Sequence, residues 1–209
     1  MSEVFDRAYY EQQRPKHGLA KLVDEARDRF IERLIIKRVP GGTLLDVGCG
    51  IGTFLARMQH RFEVTGTEIS VAGLEEARVR VPKGAFVAGD IEVALPAEGP
   101  FDVITAINVV EHLADPERAT RYLAGGQEPG GLLIVHLPTI GNRLQQWLYE
   151  GSYDQDITHI YRPSGSELVA LVEAAGYEGV LSAYAPFVPV AVMSRAPMHP
   201  AFLAVFERR

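Results

Sequence analysis

The run LLDVGCGIGTFL, Leu44 to Leu55, combines an apolar strand, an acidic strand end and glycines two apart, a pattern suited to holding a nucleoside ligand. Leu44 and Leu45 lead to the carboxylate of Asp46. Gly48, Cys49, Gly50 and Gly52 then form a turn nearly free of side chains before Thr53, Phe54 and Leu55 open a helix. Glycine accepts positive φ and lets a ligand lie against backbone. The unpaired N–H groups at the start of the helix favour an anionic group such as a carboxylate or phosphate. The spacing is not the dinucleotide fingerprint G-x-G-x-x-G, because the third glycine follows the second by two positions and not three. Asp46, at the mouth of the turn, repels a pyrophosphate and attracts an ammonium group. Glu68 in VTGTEIS lies about 20 residues beyond Gly48, where an acid holds ribose hydroxyls. Together these residues suit a ligand with a ribose and an amino-acid end.

A second set of residues suits proton transfer. His159 in YDQDITHIYRPSG has Asp154 and Asp156 close by in sequence, and an Asp–His pair can accept a proton. The same histidine also suits a purely structural role, tying its loop together. Glu111 and His112 are weaker candidates, since they either open a loop after a strand or begin the next helix. His17, His60 and His136 show no partner pattern. No grouping of His, Cys, Asp and Glu along the chain has metal-ligand spacing, so no metal is expected. The single cysteine, Cys49, cannot form an internal disulfide, and in the glycine turn it reads as a small side chain near the ligand and not as a nucleophile.

Alternating elements must position these groups. Leu19, Leu22, Val23, Ala26, Phe30 and Leu34 recur at helical spacing, which predicts an amphipathic helix from about Gly18 to Arg38, ended by Pro40, Gly41 and Gly42. Strands follow at Thr43–Val47, Glu63–Thr67, Ala85–Ala88, Val103–Ile107 and Gly131–His136, with helices after Gly52, after Ser70 and from Asp115-Pro116. That alternation implies a parallel sheet covered on both faces. Ser164 and Glu167 have capping-box spacing, Gly176 stops the helix they open, and Gly179–Tyr184 and Phe202–Phe206 read as strands. Between those strands APFVPVAVMSRAPMHP is apolar but broken by prolines, too short for a membrane span, and suits a lid, a homodimer surface or a connection packed on the core. The 209 residues fit one α/β domain. A net charge of −6 and no basic run give no general attraction to nucleic acid. The absence of a basic-then-apolar leader points to the cytoplasm.

With these motifs the sequence resembles the class I S-adenosylmethionine-dependent methyltransferases, in particular the small-molecule group that includes the ubiquinone-biosynthesis O-methyltransferases. LLDVGCGIGTFL resembles the family's glycine motif, TGTEIS its ribose-binding strand end, and AGDIE, Ala88 to Glu92, its acidic turn near the adenine. FDVITAINVVEHLADP, Phe101 to Pro116, resembles the fourth strand and its loop, and PGGLLIVHLP, Pro129 to Pro138, the following turn and strand. The resemblance implies a Rossmann-like, seven-stranded, mostly parallel α/β sheet with helices on both faces and an antiparallel last strand. It implies one domain over residues 1–209, with 1–40 an N-terminal helical cap and 139–162 a substrate-facing insertion. It implies S-adenosylmethionine as cofactor, with Glu68 and Ile69 at the ribose, Asp90 and Ile91 at the adenine and Asn108 at the methionine portion. Tyr9, Tyr10 and Arg14 precede the first helix where relatives close over the cofactor, and Arg14 can pair with its carboxylate. The expected reaction is methyl transfer to a small-molecule hydroxyl, with His159 as base. N- or C-methylation, a Rossmann-type oxidoreductase and a non-catalytic cofactor-binding partner module are the other readings. Trp147, Leu148, Tyr149 and Tyr153 suggest a cover over a partly apolar acceptor.

Overall fold

A computed structural model describes residues 19–184 and 198–209. Its elements are α1 (Leu19–Arg38), β1 (Gly42–Val47), α2 (Thr53–Met58), β2 (Phe62–Glu68), α3 (Val71–Arg80), β3 (Ala85–Ala88), β4 (Val103–Ile107), a 3-10 turn (Val110–His112), α4 (Pro116–Gly125), β5 (Leu132–Pro138), α5 (Arg143–Ser152), α6 (Gly165–Ala174), β6 (Tyr177–Tyr184) and β7 (Ala201–Arg208). The strands form one seven-stranded sheet in the order β3-β2-β1-β4-β5-β7-β6. β1 to β5 pair in parallel, and β7 lies antiparallel between β5 and β6, as expected.

The sheet is a mixed α/β sheet with a core on each face. Leu45, Val47, Ile104, Ala106, Leu133 and Val135 point to one side, where α4 and α6 bring Leu123, Leu168 and Val172. Leu44, Val103, Leu132 and Ile134 point to the other, against Ile31 and Ile35 of α1, Leu55 of α2 and Leu74 of α3. Every residue of β5 is buried, as a central strand covered on both faces requires. The helix starts follow their local chemistry. Ser70 accepts from Gly73 N, Asp115 accepts from Arg118 N with Pro116 in the first turn, and Ser164 and Glu167 form a complete capping box. Among the described residues no helix is long and apolar enough to cross a membrane.

The inward face of α1 differs from the expected stripe. Leu22 is 62% exposed, whereas Asp28, Ile31 and Ile35 are buried. Positions 24, 27, 28, 31 and 35 share one helical face. Its C-terminal half is apolar, and its N-terminal half is charged because it covers a polar part of the sheet described below.

Strand order reverses between β1 and β4, and in such sheets ligands bind in the crevice outside the strand carboxyl ends. Asp46, Glu68, Asn108, Glu111 and His136 all belong to those ends or the loops that leave them.

Candidate active site

The first half of the crevice is made by β1, β2 and β3. Gly48, Gly50 and Gly52 have φ of 65°, 51° and 76°, so all three sit in the region that other residues rarely enter. A side chain at Gly48 would also run into Val109, which places the glycine turn directly against the loop after β4. Glu68 is buried and anchored locally: Gly50 N donates to its Oε2 at 2.9 Å and Ser70 N to its Oε1 at 3.0 Å. These bonds fix the carboxylate across the turn and leave each oxygen a further lone pair. Asp90 accepts from Glu92 N at 2.9 Å in a tight turn, with Ile91 buried beside it. Glu92, quoted in the sequence only as part of that motif, is a tie between the two halves. Its buried Oε1 accepts from both Ala114 N and Asp115 N at 2.7 Å.

Under α1 the sheet carries a polar row. Two residues beyond Leu44, Val103 and Ile134, on the same face, are Asp46, Thr105 and His136. Thr105 Oγ1 donates to Asp46 Oδ1 at 2.6 Å. Burial, opposed by this hydrogen bond and reinforced by the Asp28 and Glu68 carboxylates, pushes the Asp46 pKa up to about 7. Asn108 has φ 55°, a conformation asparagine tolerates, and its Oδ1 lies 2.8 Å from His136 Nδ1. The amide oxygen can only accept, so the proton is on Nδ1 and the lone pair on Nε2, which is buried with no partner among the described residues. Burial, with the Arg27 and His199 charges, holds His136 well below its ordinary pKa. Facing this row, Arg27 of α1 grips Asp28 Oδ1 through Nε at 2.9 Å and Nη2 at 2.8 Å, and reaches Asp24 at 2.9 Å. His136, for which sequence shows no partner, is thus paired through the register that sets Ile107 beside it.

The second half gathers residues far apart in sequence. Glu111 lies in the 3-10 turn after β4 and is 1% exposed. Its carbonyl accepts from Ile160 N and Tyr161 N, which docks the 153–162 segment onto this turn. Its Oε2 has no hydrogen-bond partner among the described residues, and burial pushes its pKa up to about 8. The rings of His112 and His159 meet edge to face at 4.8 Å between centroids. His112 Nδ1 lies 2.8 Å from Thr158 Oγ1 and 3.2 Å from Thr158 O. Thr158 Oγ1 in turn donates to Asp156 Oδ1, so the hydroxyl accepts from His112 Nδ1–H and relays to the carboxylate. His159 Nδ1 is 3.0 Å from the hydroxyl of Tyr149, a fully buried residue of α5. Its Nε2 is 3.9 Å from Asp156 Oδ2. Burial, with the His112 charge, lowers the His159 pKa to about 4. Burial would raise Asp156, but the Thr158 hydrogen bonds and the two imidazoles outweigh it, and its pKa is lowered.

Of the two aspartates near His159, Asp156 is the neighbour. Asp154 pairs with Arg162 at 2.6 Å instead. Glu111, His112 and His159, separate candidates along the chain, converge so that one ligand atom from each lies within 4.8 Å of the others. Cys49 is buried, and burial with the nearby Asp46 and Glu68 carboxylates raises its thiol pKa, which keeps it protonated. Arg14, Tyr9, Tyr10 and His17, and positions 185–197 of the proline-broken stretch, lie outside the described residues. Sequence reasoning passed over Thr105, Thr158 and Glu92. The D-x-T spacing of Asp156 and Thr158 is the one local signal, since aspartate readily bonds the backbone two residues on.

A family model described as a methyltransferase domain matches residues 13–182. The ubiquinone biosynthesis O-methyltransferase of Coxiella burnetii is 31% identical over 133 residues, covering 61% of this chain and 55% of the relative. The trans-aconitate 2-methyltransferase of Methylobacterium radiotolerans is 39% identical over 97 residues, covering 45% and 37%. The chain therefore spans about half the length, or less, of these curated relatives. Among solved structures, a SAM-dependent methyltransferase from Thermotoga maritima superimposes with a TM-score of 0.76 at 21% identity over 100% of both chains. Magnesium protoporphyrin IX methyltransferase from Synechocystis PCC 6803, with bound SAH, gives 0.73 at 14% identity over 100% and 98%. At these identities the structural likeness establishes the fold.

Proposed function

Because the chain belongs to the methyltransferase domain family and takes S-adenosylmethionine as its cofactor, we propose that it moves a methyl group onto a hydroxyl oxygen of a small molecule by in-line displacement. When bound, the cofactor supplies an electrophilic methyl on a sulfonium and a neutral leaving group. The first half of the crevice fits it. The three positive-φ glycines leave a backbone cradle, and Asp46, buried at the strand end, is a carboxylate whose ionised form a cationic ligand stabilises. We assign Glu68 and Ile69 to the ribose, Asp90 and Ile91 to the adenine, and Asn108 with Asp46, Gly48, Cys49, Gly50 and Gly52 to the amino-acid end. Alignment of acceptor and methyl group is the main catalytic task, and in well-oriented systems it supplies roughly 7 to 11 kcal/mol.

The observation that carries the oxygen reading is the cluster of buried Glu111 and His159 with half-buried His112 at the acceptor end. A hydroxyl must lose its proton as it is methylated, and a positioned acid–base group supplies that step. His159 at about 4 is too weak a base to act alone, while Glu111 at about 8 is closer to the pKa that neutral catalysis favours. The coupled cluster therefore serves as the base, with Tyr149 and Thr158 fixing its rings. A substrate-facing role for 139–162 is supported by Tyr149, whose hydroxyl meets His159 Nδ1, and by Tyr161, whose backbone N donates to the Glu111 carbonyl.

The test is formation of S-adenosylhomocysteine with a panel of phenols, quinone precursors, sugars and polyketides, run beside amine acceptors. Turnover with hydroxyl acceptors is expected, and His159→Ala is expected to lower kcat by about 10²-fold or more while leaving cofactor affinity intact. Turnover with amines alone would overturn the oxygen assignment. Cofactor binding without turnover on any acceptor would identify a binding module.

A further inference from the structure

We propose that Glu111, His112 and His159 form a site for one divalent transition-metal ion at the acceptor end of the crevice. The donor atoms already stand within 4.8 Å of one another. A tetrahedral ion with bonds of about 2.0–2.2 Å places its donors roughly 3.3–3.6 Å apart, a gap that side-chain rotation closes. The independent sign of a ligand is the carboxylate itself. Glu111 is 1% exposed, and its Oε2 has no hydrogen-bond partner among the described residues. Leaving a buried polar atom unmatched is costly, and a cation is the partner that suits a carboxylate between two neutral rings.

The surroundings have the form of a metal site's supporting groups. Imidazoles that ligate metals give their other ring nitrogen to a fixed neighbour, which sets tautomer and orientation. His112 Nδ1 is held by Thr158, which leaves the lone pair on Nε2. His159 Nδ1 is held by Tyr149. Two imidazoles and one carboxylate select ions such as zinc, cobalt, manganese or ferrous iron over calcium or magnesium, which prefer all-oxygen sets. Three protein ligands also leave a coordination position open for the acceptor.

The catalytic use of this site rests on the methyltransferase reading above. With the acceptor hydroxyl in the open position, the ion lowers its pKa. The O–H bond then breaks with the proton passing to water, the O–CH₃ bond forms, the S–CH₃ bond breaks, and the neutral thioether leaves. With metal bound, the three side chains act as ligands, and the ion in place of the cluster ionises the hydroxyl.

The probe is cobalt(II), added to chelator-stripped protein and followed by calorimetry and visible absorption, with S-adenosylhomocysteine binding measured in parallel. One equivalent is expected, with a visible band of low coordination number that zinc displaces. Glu111→Gln and His159→Gln are each expected to weaken cobalt binding by about 100-fold or more while binding S-adenosylhomocysteine normally. Where either substitution impairs folding, the wild-type stoichiometry and spectrum carry the result. No saturable cobalt or zinc uptake by the wild type, or uptake unchanged in both folded variants, would overturn the site. If S-adenosylhomocysteine still binds in that case, the methyltransferase reading survives the loss of the metal.

Discussion

The two halves of the crevice solve the same problem, fixing buried polar groups, over different distances along the chain. In the first half Glu68 is held by Gly50, 18 residues away, and Asp90 by Glu92, two residues away. In the second, His112 meets Thr158 across 46 residues, and the carbonyl of Glu111 meets the backbone of Ile160 and Tyr161. Apart from Asp46, which Thr105 holds across 59 residues, the first is written into one βα unit and its successor. The second exists only once β4, β5 and α5 have packed. The first therefore suits a constant ligand, and the second can change its acceptor without disturbing the first. Val109 against Gly48 and Glu92 beneath Ala114 are the narrow joints between them.

The largest expected effect lies in the first half. Glu68→Ala removes the carboxylate we assign to the ribose and strips Gly50 N and Ser70 N of their partner, at about 1–3 kcal/mol for each donor left unpaired. Thermal unfolding should fall by several degrees without ligand. The stabilisation from S-adenosylhomocysteine at about 100 times its Kd, roughly 2.7 kcal/mol, should vanish. A variant that keeps the ligand-dependent shift would break the assignment of the first half to the cofactor.

Asp46→Asn sharpens the comparison through pH. The folded-state pKa of Asp46 is raised to about 7 from an ordinary 3.8. The ligand-free protein is therefore favoured below 3.8 and loses stability as pH rises towards about 7, by at most about 1.4 kcal/mol per pH unit. The asparagine keeps an oxygen for the Thr105 hydroxyl and lacks this slope. Denaturant unfolding from pH 5 to 8 should show a flatter profile in the variant, together with weaker cofactor binding. Equal slopes would show that Asp46 is not the group whose ionisation the fold opposes.

The same contrast explains what sequence makes legible. Glycine spacing, the Ser70, Asp115 and Ser164 caps, and the apolar runs of the strands act within a few residues, and the fold follows them closely. The α1 stripe holds at Phe30 and Leu34, which pack on the core, and fails at Leu22, because apolar periodicity assumes an apolar partner whereas Arg27 and Asp28 lie near His136 and Asp46. His136 showed no partner because its partner, Asn108, comes from strand register. The Glu111–His112–His159 convergence was invisible for the same reason, since metal-ligand spacing along a chain detects only sites built on one element. What remained readable in the second half was its location, after the fourth and fifth strands.

The smallest effect should come from Thr158→Val, which tests whether the second half is organised by its supporting hydrogen bonds. The substitution keeps shape and removes one hydroxyl, through which His112 Nδ1–H reaches Asp156. The Thr158 carbonyl stays in place as an acceptor and the His159 ring as a neighbour, so the His112 ring loses one restraint and is not released. Turnover, and cobalt affinity measured separately, should each fall by about tenfold, at the low end of what outer groups around a metal contribute. Unfolding temperature and S-adenosylhomocysteine affinity should be nearly unchanged, because no first-half residue bonds to Thr158 among the described residues. An equal loss of cofactor affinity would mean that the halves are mechanically coupled through Val109 and Glu92. An unchanged kcat would reduce the Thr158 hydroxyl to a packing role.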